Sequence, residues 1–143
     1  MKVVLHEYWR SSASYRVRIA LALKGIAYHR APVDLMADAQ RSPDHLTMNP
    51  QGLVPVLQID GLVLTQSLAI IEYLDEVWPQ PPLLPSTPLD RQRARALAQL
   101  VACDIHPLNN LRVLQYFDRT WGVPQPERDE WVKHWIREGF AAF

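Results

Sequence analysis

Five prolines fall between Pro79 and Pro88. Proline lacks a backbone N–H and its ring clashes with the preceding helical turn, so no helix runs through this stretch. A segment of this kind suits a stiff linker. It divides the chain into residues 1–78, a linker at 79–88, and residues 89–143. Each side must then be read by its own pattern.

The first part alternates strand and helix signals. Lys2 to Tyr8 is β-rich. Three serines follow, Ser11, Ser12 and Ser14, and then Val17, Ala20, Leu21 and Lys24 recur at helical spacing up to Gly25. Serine caps a helix start by accepting a first-turn N–H. Glycine suits the left-handed residue after a helix end. Tyr28 to Val33 reads as a second strand, placed near an edge by Pro32. Ser42-Pro43-Asp44 opens a short helix ending at Asn49-Pro50. Val54 to Ile59 is a third strand, and Asp60-Gly61 turns it into a fourth at Leu62 to Leu64. A helix from about Ser67 to Val77 places Leu68, Ile71, Leu74 and Val77, or alternatively Ile70 and Tyr73, at core spacing. The order β-α-β-α-β-β-α is an α/β layer architecture.

After the linker only helical patterns occur. Thr87-Pro88 caps a segment of roughly Leu89 to Phe117, which Pro107 should interrupt. Trp121 to Pro126 is a predicted loop. Pro126 opens a last helix with Val132, Ile136 and Phe140 on one stripe and Trp131 and Trp135 beside it. Cys103 lies on an apolar stripe and is expected to be a small buried side chain. Two or three helices make an uncomfortable bundle, so this all-helical part is expected to be incomplete.

The α/β order resembles thioredoxin-like folds, in which a Cys-x-x-Cys occupies the turn before the first helix. Here that turn is Ser11-Ser12-Ala13-Ser14. Its hydroxyls and the helix dipole can stabilise a thiolate, the physics that lowers cysteine pKa values. It has no thiol of its own, so the sulfur would arrive with a ligand; the alternative is that Ser11 or Ser12 only caps the helix. In such folds a proline placed like Pro55 is cis, which turns the preceding backbone, here Val54, toward the site. That backbone could pair with a peptide-like ligand. Gln66-Ser67 starts a helix whose first N–H groups could hold a carboxylate. Taken together these features suit a small acidic thiol peptide, glutathione.

Composition excludes several other classes. The formal net charge is zero, leaving no basic footprint for nucleic acid. No apolar run is long enough for a membrane span, and no secretory leader is recognisable at Met1 to Glu7. The single cysteine allows no internal disulfide, which fits a cytoplasmic setting. The five histidines show no metal spacing.

Longer motifs are more specific. Ser11 to Leu21 (Ser-Ser-x-x-x-Arg-Val-Arg-Ile-Ala-Leu), Asn49 to Val56 (Asn-Pro-Gln-Gly-Leu-Val-Pro-Val), Gln66 to Leu74 and Cys103 to Leu114 together resemble the zeta-class glutathione S-transferases. That class includes maleylacetoacetate and maleylpyruvate isomerases. The resemblance covers the whole chain.

It implies a thioredoxin-like N-terminal domain followed by a helical domain, working as a homodimer with glutathione. It implies that Ser11, with Ser12 beside it, serves the glutathione thiolate. Val54 and the cis Pro55 would hold the cysteinyl backbone, and Gln66 and Ser67 the γ-glutamyl end. His106 and Asn110 would lie near the glutathione or dimer cleft. Arg10 and Arg112 would face a dicarboxylate substrate through bidentate pairing. The implied reaction is covalent catalysis by a cofactor thiolate: addition to a cis double bond, rotation and elimination to the trans isomer. General conjugation or dehalogenation chemistry, and a non-catalytic thiol-binding module, are the competing expectations.

Two departures stand out. The class usually has Ser-Ser-Cys where this chain has Ser11-Ser12-Ala13. Members also run to roughly two hundred residues, consistent with a complete second domain. A chain of 143 residues is therefore expected to be a truncated product with weak or no isomerase activity.

Overall fold

A computed structural model describes residues 1–143. The chain forms two compact units, Met1–Leu84 and Pro85–Phe143. In the first, β1 (Val3–Glu7) leads through α1 (Ser12–Leu23) to β2 (His29–Pro32), which lies parallel to β1. A 3₁₀ turn (Ala39–Arg41) and α2 (Pro43–Met48) follow. Then come β3 (Val56–Ile59), β4 (Leu62–Thr65) and α3 (Ser67–Val77). The sheet order is β2-β1-β3-β4, with β3 antiparallel to both neighbours. The expected α/β, thioredoxin-like arrangement is therefore present. β2, which carries Pro32, is an edge strand.

Alternation explains the core. Val3 and Leu5 point to one face of β1, and their register partners Ile59 and Leu57 point to the same face of β3. Val17, Ala20 and Leu21 of α1 and Ile70 and Leu74 of α3 close over them. Helix α1 ends as glycine-terminated helices do. Gly25 sits at φ +65°, its N–H donates to the Ala22 carbonyl at 3.0 Å, and the Ile26 N–H reaches the Leu21 carbonyl at 2.9 Å. The α3 core takes one residue from each of the two expected stripes: Ile70 and Leu74 are buried, Leu68, Ile71 and Tyr73 are half-buried, and Val77 is exposed, contrary to the first stripe.

In the second unit, α4 (Pro88–Gln99) starts at Thr87, whose side chain accepts from the Asp90 N–H. A π-helical segment (Leu100–Ile105) and a 3₁₀ turn (Pro107–Asn109) separate it from α5 (Leu111–Trp121). The interruption expected at Pro107 is thus present, though it begins seven residues earlier than the proline. A widened π turn is not legible from residue spacing alone. Helix α6 (Gln125–Ala141) packs through Trp131 and Trp135, which are half-buried, while Ile136 and Phe140 are exposed. The expected burial of Cys103 is also corrected: its side chain is exposed. Both errors have one cause. An apolar stripe specifies a face that can be covered, and in this unit Ile105 is the only residue that reaches full burial.

Gly139 is where α6 meets the π-helical segment. A Cβ there would stand 2.2 Å from Ile105 Cγ1 and 2.4 Å from its Cδ1. Overpacking of this kind costs about 1–3 kcal/mol, against a helix-propensity gain of about 1 kcal/mol for alanine. The closeness of the contact puts the cost at the upper end. Gly139→Ala should lower the denaturation midpoint of the second unit, read from far-ultraviolet dichroism against urea. An unchanged or raised midpoint would mean that Ile105 moves aside freely.

Candidate functional site

Strand directions bring the candidate residues of the first unit to one end of the sheet. His6 near the end of β1 pairs with Val56 at the start of β3, and Val56 pairs with Thr65 at the end of β4. The β1–α1 turn, the Val54-Pro55 loop and the start of α3 therefore leave the sheet at the same end. Ligands of open α/β sheets gather beyond such strand ends.

The β1–α1 turn carries Ser11. Its backbone is extended (φ −71°, ψ 115°), and its Oγ accepts from the Ser14 N–H at 3.1 Å. A hydroxyl that accepts in this way still has its own hydrogen to donate. Ser11 is half-buried, Ser12 is exposed and Ala13 is buried. The turn is braced from below. The Ser11 N–H donates to the Tyr8 carbonyl at 2.9 Å, and Arg18 Nη2 donates to the Trp9 carbonyl at 3.3 Å. Arg18 in turn pairs with Glu7, whose buried carboxylate also meets Arg30. Arg10 is exposed, with its guanidinium 5.7 Å from the Trp9 ring centre.

The Val54-Pro55 bond is cis. Val54 is half-buried, and its N–H makes no hydrogen bond within the chain. Gly52 two residues earlier has φ +62°, and a Cβ there would lie 3.2 Å from the Gln40 carbonyl oxygen. Both the conformation and the close approach require glycine. Gln66 Nε2 donates to Gln51 Oε1 at 2.7 Å, tying this loop to the start of α3.

Gln66 itself has φ +68°, an uncommon conformation for a residue with a side chain. Backbone outliers of this kind concentrate at functional sites. No side chain caps α3, so its first-turn N–H groups have no partner of the usual capping kind. The Ser67 hydroxyl is buried and accepts from Arg16 Nη1 at 2.9 Å, which joins α1 to α3 beside the site.

The other expected residues belong to the second unit. His106 follows the π-helical segment. Asn110 caps α5, its Oδ1 accepting from the Arg112 N–H at 3.1 Å, and the Arg112 side chain is exposed.

Residue patterns missed four polar side chains near the first-unit loops. Arg16 is one. Gln40 is buried and its amide oxygen has no partner. His45 and Asn49 are each 3% exposed and both donate to the Leu53 carbonyl at 2.9 Å. No residue spacing announces the pair: His45 lies in α2, whereas Asn49 follows its end with an extended backbone (φ −140°, ψ 97°).

Known proteins resemble the chain along nearly its whole length. Residues 1–76 match the family model for the glutathione S-transferase N-terminal domain. The maleylacetoacetate isomerase of Rhizobium meliloti (strain 1021) is 59% identical over 142 residues, covering 99% of this chain and 67% of that protein. The maleylpyruvate isomerase of a Ralstonia species is 46% identical, over 97% of this chain and 66% of that one. Among solved structures, the holo form of a bacterial zeta-class maleylpyruvate isomerase superposes with a TM-score of 0.96 at 46% identity, covering 98% of this chain and 66% of that one. A maleylacetoacetate isomerase from Methylobacterium extorquens AM1, solved with malonate and GSH bound, gives 0.94 at 48% identity, over 97% of this chain and 65% of that one. The chain thus spans about two thirds of the length of these relatives. Matched over more than half its residues by the family model, and over nearly all of them by relatives, this chain belongs to the glutathione S-transferase family, in the zeta class of maleylacetoacetate and maleylpyruvate isomerases.

Proposed function

We propose that this chain binds glutathione at the sheet end formed by Ser11, Val54 and Gln66-Ser67, and serves cis-trans isomerisation of a maleyl dicarboxylate to its fumaryl isomer. The observation that carries this reading is the Val54 N–H, which makes no hydrogen bond within the chain. It leaves the sheet at the same end as a hydroxyl with a hydrogen to spare and an uncapped helix start. A strand-like acceptor, an anion and a carboxylate are what those groups recognise, and glutathione carries all three.

Glutathione, when bound, supplies a thiolate that adds to the conjugated double bond, permits rotation and leaves. The chain's part is to keep that sulfur charged. A hydrogen bond to a charged acceptor contributes about 1.5–3 kcal/mol, and a helix N-terminus about 0.3–1 kcal/mol. The Ser11 hydroxyl therefore outweighs the α1 dipole, and Ser12, exposed at the first helical position, has the lesser role. The first-turn N–H groups of α3 would hold the γ-glutamyl carboxylate. Arg10 and Arg112, both exposed, offer planar guanidinium groups to a dicarboxylate substrate. The same reading takes the active form to be a homodimer in the cytoplasm.

The test is a glutathione titration followed by tryptophan fluorescence, since Trp9 stands two residues from Ser11 and is exposed. Saturable quenching that weakens in Val54→Pro, which removes the N–H, supports the reading. Quenching that is absent in the folded chain overturns it.

A further inference from the structure

Leu53 presents one carbonyl oxygen to two buried donors, His45 Nε2 and Asn49 Nδ2, each at 2.9 Å. A carbonyl only accepts, so the His45 ring carries its proton on Nε2, and both lone pairs of the oxygen are used. Asn49 is held in turn by its own Oδ1, which accepts from the Gln51 N–H at 3.2 Å. His45 is anchored through its backbone N–H, which donates to Ser42 Oγ at 3.3 Å. Both side chains are 3% exposed.

The consequence lies on the other side of the peptide. The cis bonds of this chain are at Pro55 and Pro81, so the Leu53–Val54 bond is trans. In a trans peptide the C=O and the next N–H point in opposite directions within one plane. Drawing the Leu53 oxygen inward onto α2 therefore aims the Val54 N–H outward.

From this we infer that His45 and Asn49 are positioning residues: they orient the Leu53–Val54 peptide so that the Val54 N–H meets a carbonyl of the bound peptide ligand. The assignment rests on the glutathione reading above. Neither residue touches the ligand. Both act through one carbonyl.

The experiment is a double cycle between protein and ligand. The two probes are glutathione and an analogue whose cysteinyl–glycine amide is replaced by a trans-alkene isostere, which removes the carbonyl acceptor. The proteins are the full chain and Asn49→Asp, which keeps the acceptor for Gln51 but has no N–H for Leu53. The unsubstituted chain should prefer glutathione by about 3- to 10-fold, the usual worth of one neutral hydrogen bond. In Asn49→Asp that preference should fall toward 1, because the N–H is no longer aimed. A variant that weakens both ligands equally, with the ratio intact, would overturn the assignment and leave Asn49 a merely structural residue. If Asn49→Asp fails to fold, His45→Phe carries the same comparison, and His45→Gln, which retains a donor, should restore the ratio. Binding of neither probe by the unsubstituted, folded chain would overturn the glutathione reading, and this assignment with it. Binding of glutathione without any preference over the isostere would overturn the assignment alone.

Discussion

Ser11→Ala is expected to move the acid limb of the isomerase pH profile upward by about one to two pH units. It should cut the rate near neutrality by about 10- to 100-fold. The figure is the worth of one hydrogen bond to a charged acceptor, about 1.5–3 kcal/mol, taken at 1.36 kcal/mol per pH unit. The sign follows from which form the hydroxyl stabilises. Ser11 donates to the thiolate, so it lowers the thiol pKa; without it the thiolate forms only at higher pH. The rate should therefore recover in alkali. Alanine also removes the α1 cap, at a cost of about 1 kcal/mol in stability. Ser11→Gly separates the two effects, because glycine at a cap costs only a few tenths yet lacks the hydroxyl. Both variants should show the same pH displacement. A loss equal at every pH would mean that Ser11 shapes the turn and does not hold the sulfur charged. Ser12→Ala should leave most of the rate, since Ser11 is the residue whose side chain caps α1.

Ser11 also shows how far residue patterns reach. The N-cap, the Gly25 terminator and the strand alternation are local rules, and each was legible because it depends on residues within about one helical turn or strand. The turn at Asp60-Gly61 and the break near Pro107 belong to the same class. What escaped was set by how the chain folds back on itself rather than by residue type. His45 on a short helix and Asn49 just past its end are polar residues, and their burial goes with a carbonyl in the next loop. Gln66 adopts a positive φ that nothing in its side chain announces. Cys103 failed for the opposite reason, because an apolar stripe was read as covered when it is exposed. Lys24 is the clearest case. It falls beside a helix-ending glycine, a place where a solvated charge is ordinary, yet its side chain is fully buried.

Lys24→Met should therefore be the most destabilising single change in the first unit. The ammonium has three N–H donors. They go to Asp75 Oδ1 at 2.5 Å, the Trp78 carbonyl at 2.6 Å and the Pro81 carbonyl at 2.5 Å. Methionine fills similar volume, so the loss is one of charge and hydrogen bonds, with little cavity. It strands a carboxylate that is 14% exposed, together with two carbonyls. Breaking one side of a buried pair costs about 3–5 kcal/mol, a large share of the roughly 5–15 kcal/mol that holds a domain folded. The pH dependence supplies the check. Burial pushes the Asp75 carboxyl up, but the Lys24 hydrogen bond and charge, with the Leu83 N–H, bring it below its ordinary value. A carboxylate lowered in the folded state contributes stability above its unfolded pKa of about 3.9. That contribution is lost as pH falls through the folded value. In Lys24→Met the hydrogen bond and charge of the ammonium are gone, so protonating Asp75 costs the variant less than it costs the parent. The gap between the two proteins should be widest near neutrality and narrow in acid; a gap constant through the carboxylate range would remove Asp75 from the account. Glutathione affinity below the melting transition should change little, because the clamp grips the C-terminal end of α3. The ligand end of that helix begins at Ser67, eight residues before Asp75 and about 12 Å away along the helix axis.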